Sequence, residues 1–301
     1  MVKRIIVVLS LSLVFANIAN GQNYRERFVK LFDDKDLDGQ YSLLQSWEKA
    51  RPDDPELYVS FFNHYFAKSR QETLSLTSAP PKGESLRLTK DDDKKVGAYL
   101  GSEMSFGIAD FDMGISYIDK GIGKFPNRLD MRFGKTYALG QIRNYGRFKD
   151  EIVKAIDHFG RGKNAWLWRD NKPLDDPKVF MLKAVQDYIV QLFDSGDENI
   201  PNIKPIAQAV LRVYPDHIES LSNLSGVNMV RNDFDGALIT LRKAESIAPN
   251  DPVIIGNIAY CYFNKKDKAN AKKYYERLAK VGDEQAKADA TSKLAEIERW
   301  P

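Results

Sequence analysis

Cysteine and histidine are scarce in this chain: Cys261 is the one cysteine in 301 residues, and the histidines are His64, His158 and His217. A single cysteine excludes an intramolecular disulfide, so the fold must be held by its own core. It also excludes a lipoprotein anchor, which needs a cysteine at the cleavage point. The histidines are far apart and none sits in an H-E-x-x-H arrangement. G-x-S-x-G, a phosphate-binding loop and a Gly-rich dinucleotide turn are all missing. No apolar run approaches the roughly 20 residues needed to cross a bilayer. Neither sign of charge dominates, since 45 basic residues face 42 acidic ones for a formal charge of +3. Such a chain is not built for bulk electrostatic capture of nucleic acid. No catalytic residue, cofactor or metal ligand is therefore assigned, and the chain reads as a non-enzyme.

What is present begins at the N-terminus. Lys3 and Arg4 precede a largely apolar run, Ile5 to Phe15, and Ala19-Asn20-Gly21 supplies small residues at cleavage spacing. This predicts a signal peptide over 1–21, cleaved to leave Gln22 first, with an uncleaved anchor as the alternative. The expected location is periplasmic or secreted, with no transmembrane segment after cleavage. Losing Lys3 and Arg4 takes the formal charge from +3 to +1. At 43% hydrophobic residues, the remainder is long enough to bury a core without staples. Cys261, between Tyr260 and Tyr262, reads as a small core residue.

The strongest signal is a pattern that occurs twice at a fixed offset. Leu221, Leu224, Ser225 and Asn228, followed by Ala237, Leu241, Ala244 and Pro249, fall in register with Ile255, Ile258, Ala259 and Tyr262, then Ala271 and Tyr275. This resembles the tetratricopeptide repeat, a helix-turn-helix with a period of about 34 residues in which small side chains sit where the two helices cross. The resemblance implies an all-α, tetratricopeptide-like solenoid of helical hairpins that binds a protein or peptide partner, similar to exported bacterial repeat proteins. It also implies partner contacts from first-helix residues, here Asn223, its counterpart one repeat on, Asn257, and Tyr260 and Asn264. The lysines and arginines of a carboxylate clamp are missing from 218–230. Asn223-Leu224-Ser225 also forms a glycosylation sequon, which its repeat-core setting leaves unread.

Upstream of 201–301, where the repeats and a terminal capping helix lie, residues 22–200 read as a less regular helical region. Helices are expected over 24–33, 40–51 and 55–69 from their apolar spacing. Thr73 to Thr77 and Ser85 to Thr89 alternate with period two around a turn-rich stretch, which predicts a small β-hairpin insertion near 73–89. Val96 to Leu100 is a candidate third strand that Gly97 and Gly101 weaken. Helical patterns resume at Ile108, a linker runs from Gly160 to Pro177, and further helices follow over 178–194 and 203–213. Ala286, Ala290, Leu294 and Ile297 form the closing face of the last helix.

Three motifs carry competing readings. Asp34-Lys35-Asp36-Leu37-Asp38-Gly39 matches the opening of a calcium-binding loop, but Gln45 stands where the closing glutamate belongs. The plainer reading is an acidic loop capping the next helix. Trp166 and Trp168 alternate in the linker and form a candidate aromatic anchor for a partner, with a lid over helix ends as the other reading. The basic residues from Lys265 to Lys280 read as a solvated helix face. The sequence thus points to an exported, non-catalytic scaffold. An enzyme with its site in the irregular middle segment and a calcium-dependent binding module are the rivals.

Overall fold

The computed structural model describes residues 23–79, 85–89, 96–161 and 166–300. The expected signal peptide and the hairpin turn at 80–84 lie outside these residues. Two compact units are present: unit 1 takes the chain up to Arg143 together with Trp166–Leu174, and unit 2 takes Asn144–Ala165 and Asp175–Pro301. The division expected at residue 200 thus falls inside unit 2. The reason is that buried residues before it (Met181, Val185, Ile189) belong with buried residues after it (Ile203, Ile206, Val210) in the same unit.

Unit 1 opens with α1 (23–33), α2 (Leu37–Ala50) and α3 (Pro55–Ser69). Phe28, Leu43, Leu44, Trp47, Leu57 and Phe61 form their common core. Asp54 caps α3 by accepting Glu56 N–H at 3.1 Å, and Pro55 fills the first turn, where a missing N–H costs nothing. The chain then enters β1 (Arg70–Thr77), β2 (Ser85–Thr89) and β3 (Val96–Phe106) before α4 (Ile108–Lys124) and α5 (Leu129–Gln141). Helices α3 and α4 pack as a pair, so the strands occupy the place of the turn between them. Gly107 N–H closes that junction on Ser69 O at 2.7 Å. The helix crossing is close at Gly121, where a Cβ would stand 2.8 Å from Tyr58 Cβ.

The strands form where expected, but the two flanking ones do not form a hairpin with each other. Sheet order is β1-β3-β2, and both pair antiparallel with β3, which the two glycines do not prevent. In this register Leu76, Leu100 and Leu86 stand side by side, so the leucines of the three strands share one face. Trp166–Leu174, expected as linker, holds the two-residue strands β4 (Leu167–Trp168) and β5 (Lys172–Pro173) around a turn in which Asp170 and Asn171 have φ of 60° and 55°.

Unit 2 contains α6 (Tyr145–Arg161), α7 (Pro177–Asp194), α8 (Ile203–Val213), α9 (Ile218–Val230), α10 (Phe234–Ile247), α11 (Pro252–Asn264), α12 (Lys268–Val281) and α13 (Glu284–Glu298). Most residues of the repeated pattern form its centre, whereas Leu224, Asn228 and Tyr262 are half-buried and Pro249 is exposed. Ser225, Ala237, Leu241, Ala244, Ile258, Ala259 and Ala271 are each 0% exposed, and Leu221, Ile255 and Tyr275 are buried beside them. Ala290 and Ile297 close the cluster from α13. Cys261 is buried in it, and that burial pushes its thiol pKa up to about 12.

One turn recurs in both units. Asn232 and Lys266, at equivalent positions of successive repeats, have φ of 59° and 60°, and each is followed by an aspartate that caps the next helix. Asp233 accepts Gly236 N–H at 2.9 Å, and Asp267 accepts Asn270 N–H at 3.1 Å. Their own N–H groups reach back to Asn228 O and Tyr262 O. Unit 1 repeats this geometry at Lys35 (φ 57°) and Asp36, which accepts Gly39 N–H at 2.9 Å and donates its N–H to Leu31 O. Asp36-Leu37-Asp38-Gly39 therefore matches Asp233-Phe234-Asp235-Gly236 in role. The calcium-like motif is the turn between two helices of a hairpin, with its Asp36 carboxylate committed to the cap.

Candidate partner-binding face

The predicted contact residues divide between the two units. In unit 2, Asn257, Tyr260 and Asn264 recur on α11 at i, i+3 and i+7, a spacing that aligns them along one face. Tyr260 is 46% exposed and sets its ring edge against Phe234, with centroids 6.2 Å apart. Asn264 is exposed, and its amide donates to Tyr260 O at 2.9 Å. Asn257 is half-buried and donates to Ser222 Oγ on α9 at 3.3 Å. Asn223 differs: it is 8% exposed, and its amide donates to Gln186 Oε1 on α7 at 2.8 Å.

A polar row therefore runs across α7, α9 and α11, but Asn223 and Asn257 each reach toward an earlier helix, and no Asn223–Asn257 bond forms. Asn223 serves helix packing, since a buried amide must find partners where it lies. Its burial also removes it as a glycan acceptor in the folded chain. Gln186 is the member that sequence reasoning missed. Its separation from Asn223 does not equal the repeat offset, so no repeat register points to it.

The tryptophans belong to unit 1 and split. Trp166 is 3% exposed with the Arg132 guanidinium 5.6 Å from its ring centroid, so it is a core residue and not a surface anchor. The hairpin of β4 and β5 explains this, because Leu174 N–H donates to Trp166 O and closes the segment on itself. Trp168 is half-buried, with its ring edge-on to Phe133 at 6.5 Å.

Unit 1 also contains a charged cluster with no sequence signature. Arg128, 0% exposed, donates to Asp130 at 2.8 and 2.7 Å, to Glu56 Oε1 at 2.7 Å and to Asn171 Oδ1 at 3.3 Å. Glu56 also accepts Asp170 N–H at 2.9 Å. The buried guanidinium thus meets acceptors from α3, α5 and the β4–β5 turn, as a buried charge requires. A cleft of about 670 Å³ opens beside it, lined by Arg25, Arg51, Asp53, Glu56, Asp170 and Lys172 among others. No nucleophile and base pair lines it.

His217 caps α9 by accepting Ser220 N–H at 3.3 Å, as a histidine at a helix start can. The basic cluster resolves into local partners: Lys265 with Asp235, Lys272 with Glu298 at 2.6 Å, and Lys266 over the Trp300 ring at 4.6 Å. No three His, Cys, Asp or Glu side chains among the described residues are grouped to hold a metal ion. Among the same residues, no helix is long and apolar enough to cross a membrane.

Residues 254–281, which span most of α11, its turn and α12, match the tetratricopeptide repeat family. The chain carries a tetratricopeptide repeat. Solved structures with similarity include the MamA protein, at 16% identity over 60% of this chain and 87% of that one, with a TM-score of 0.39. The P58(IPK) TPR domain is 11% identical, covering 96% of this chain and 67% of that one at a TM-score of 0.35. The TPR2AB domain of yeast Sti1, in a pHSP90 complex, is 10% identical over 93% and 99% at 0.35. No curated protein matches the chain significantly. The matched repeat is the one whose first helix bears Asn257, Tyr260 and Asn264.

Proposed function

We propose that this chain is a non-catalytic helical-repeat scaffold of the cell envelope, periplasmic or secreted, that holds a protein or peptide partner against α11 and the adjoining first helices of unit 2. The observation that carries this reading is the face of α11 inside the matched repeat. It offers an exposed tyrosine and an exposed amide beside the half-buried amide of Asn257. Tyrosine supplies a large, rigid contact with a polar tip at low entropic cost, and amides adapt to an extended backbone. The basic start, the short apolar run and Ala19-Asn20-Gly21 support export, and the missing catalytic motifs support a binding role.

The test is affinity capture from the native envelope fraction with the wild-type chain and with Tyr260→Ala/Asn264→Ala. Both side chains are exposed, so the double variant should melt as wild type does. Loss of a specific partner with unchanged melting supports the reading, whereas equal recovery by both chains rejects it. N-terminal sequencing of the native product tests export separately, with Gln22 expected first.

A further inference from the structure

A second site lies in unit 1, between the start of α2 and the end of α3. Leu37, Asp38, Tyr41, His64, Tyr65 and Lys68 line a half-open pocket of about 230 Å³ there. Its floor is His64, 3% exposed, whose Nδ1 lies 3.0 Å from Gln40 Oε1. Gln40 settles the tautomer. Its Nε2 donates to Leu31 O at 3.1 Å, and since a carbonyl only accepts, the amide oxygen must be the end that faces His64. Nδ1 therefore carries the proton and Nε2 presents a lone pair. Burial, and next the Lys68 charge, hold the His64 pKa below its ordinary value, so the ring is neutral at pH 7. No hydrogen bond joins Nε2 to any described residue.

The walls are aromatic and the rim is mixed. Tyr41, 40% exposed, stacks on His64 at 5.8 Å, and Tyr65 meets His64 edge-on at 5.0 Å. Lys68 uses one N–H on Asp110 at 2.9 Å, which leaves two donors, while Asp38 supplies acceptors. Acceptors and donors thus surround a half-apolar space, with the Tyr41 and Tyr65 hydroxyls joined to each other by a hydrogen bond.

From this arrangement we propose that the pocket binds a single polyhydroxylated ring of pyranose size. Each hydroxyl of such a ring both donates and accepts, so one of them can give its hydrogen to His64 Nε2 while others meet Asp38 and Lys68. Its C–H face matches the Tyr41 ring and Leu37. A peptide side chain with one polar group satisfies one of these partners and desolvates the rest. At about 30 Å³ per water, the space replaces roughly eight waters, the scale of a twelve-atom hexose.

The test uses the full chain labelled with ¹⁵N-histidine, titrated at millimolar concentration with the methyl glycosides of glucose, mannose and galactose. At least one glycoside is expected to shift the His64 Nε2 resonance with a saturable, millimolar Kd. Tyr41→Ala should weaken that binding up to about tenfold, the loss of one ring contact, in a chain whose circular dichroism remains that of wild type. Asp38→Asn, which keeps shape and removes charge, should weaken it less. The proposal is overturned if no glycoside moves His64, if the shift survives Tyr41→Ala intact, or if N-acetyltyrosinamide moves His64 where the glycosides do not.

Discussion

Replacing the aspartates of the recurring turn one at a time separates a helix cap from a calcium ligand. Asp36 Oδ1 accepts Gly39 N–H at 2.9 Å, as Asp233 does for Gly236 at 2.9 Å and Asp267 for Asn270 at 3.1 Å. Removing such a cap costs about 1 kcal/mol, with a range of roughly 0.5 to 2. For a unit of this size that corresponds to a fall in Tm of roughly 2–4 °C. Asp34 precedes the cap and should change stability by less than about 0.5 kcal/mol when replaced by alanine. Asp38 contributes only its charge at the helix start, a few tenths of a kcal/mol, roughly 0.3 to 0.5 at a screened surface. Asp267 also accepts the Asn270 side-chain amide at 2.7 Å, and those hydrogen bonds hold its pKa below the usual carboxylate value. Its loss should therefore be the largest of the three caps. The assay is urea unfolding of each alanine variant with and without millimolar calcium. The turn reading expects Asp36 to stand out from Asp34 and Asp38, with no effect of calcium. Equal losses at all three positions, or a calcium-dependent rise in stability abolished by Asp36→Ala, would refute it.

Other outcomes follow from burial. Ala237→Trp and Ala271→Trp fill sites that are 0% exposed, so each should lower stability by at least the roughly 1–3 kcal/mol typical of overpacking; unchanged urea midpoints would disprove the repeat register. His64 is held neutral by burial, so the unfolded state binds its proton first. Stability should be full above about pH 6.5 and decline as pH falls below it, with a shallower decline in His64→Phe; identical slopes between pH 7 and 5 would contradict this. Burial of His217 lowers its pKa as well, so the variant should not be pH-independent. Cys261 should resist thiol reagents in the native protein and react only on unfolding, which labelling rates with and without urea measure.

Most of unit 2 was legible because its signals are local. A small side chain at a helix crossing and an aspartate at a helix start act within one hairpin, so the repeat offset sufficed to place α9 to α12. The turn in unit 1 was equally local, and Lys35-Asp36-Leu37-Asp38-Gly39 beside Asn232-Asp233-Phe234-Asp235-Gly236 shows it. A metal-loop reading separates from it once Gln40 is seen to stand where Ala237 stands, at the first buried position of the second helix. What stayed hidden depends on partners distant in sequence. The order β1-β3-β2 rests on β3 pairing with β1, its partner across the whole insertion, as well as with β2. Trp166 is buried under Arg132, and Arg128 finds Glu56 on a distant helix, where no periodicity points. Of the predicted face, Tyr260 and Asn264 are exposed as a contact surface requires. Asn223 is not, because α7 supplies Gln186 to satisfy its amide.

The central claim, that a partner docks on the α11 face, is tested most directly by site-specific photocrosslinking in the native host. A photoreactive phenylalanine at Tyr260 is compared with one at Ile239, which is 74% exposed on α10. The account predicts a discrete crosslinked adduct from position 260, absent at 239 and diminished by Asn257→Ala or Asn264→Ala. An adduct of equal yield from position 239, or none from position 260, would contradict it.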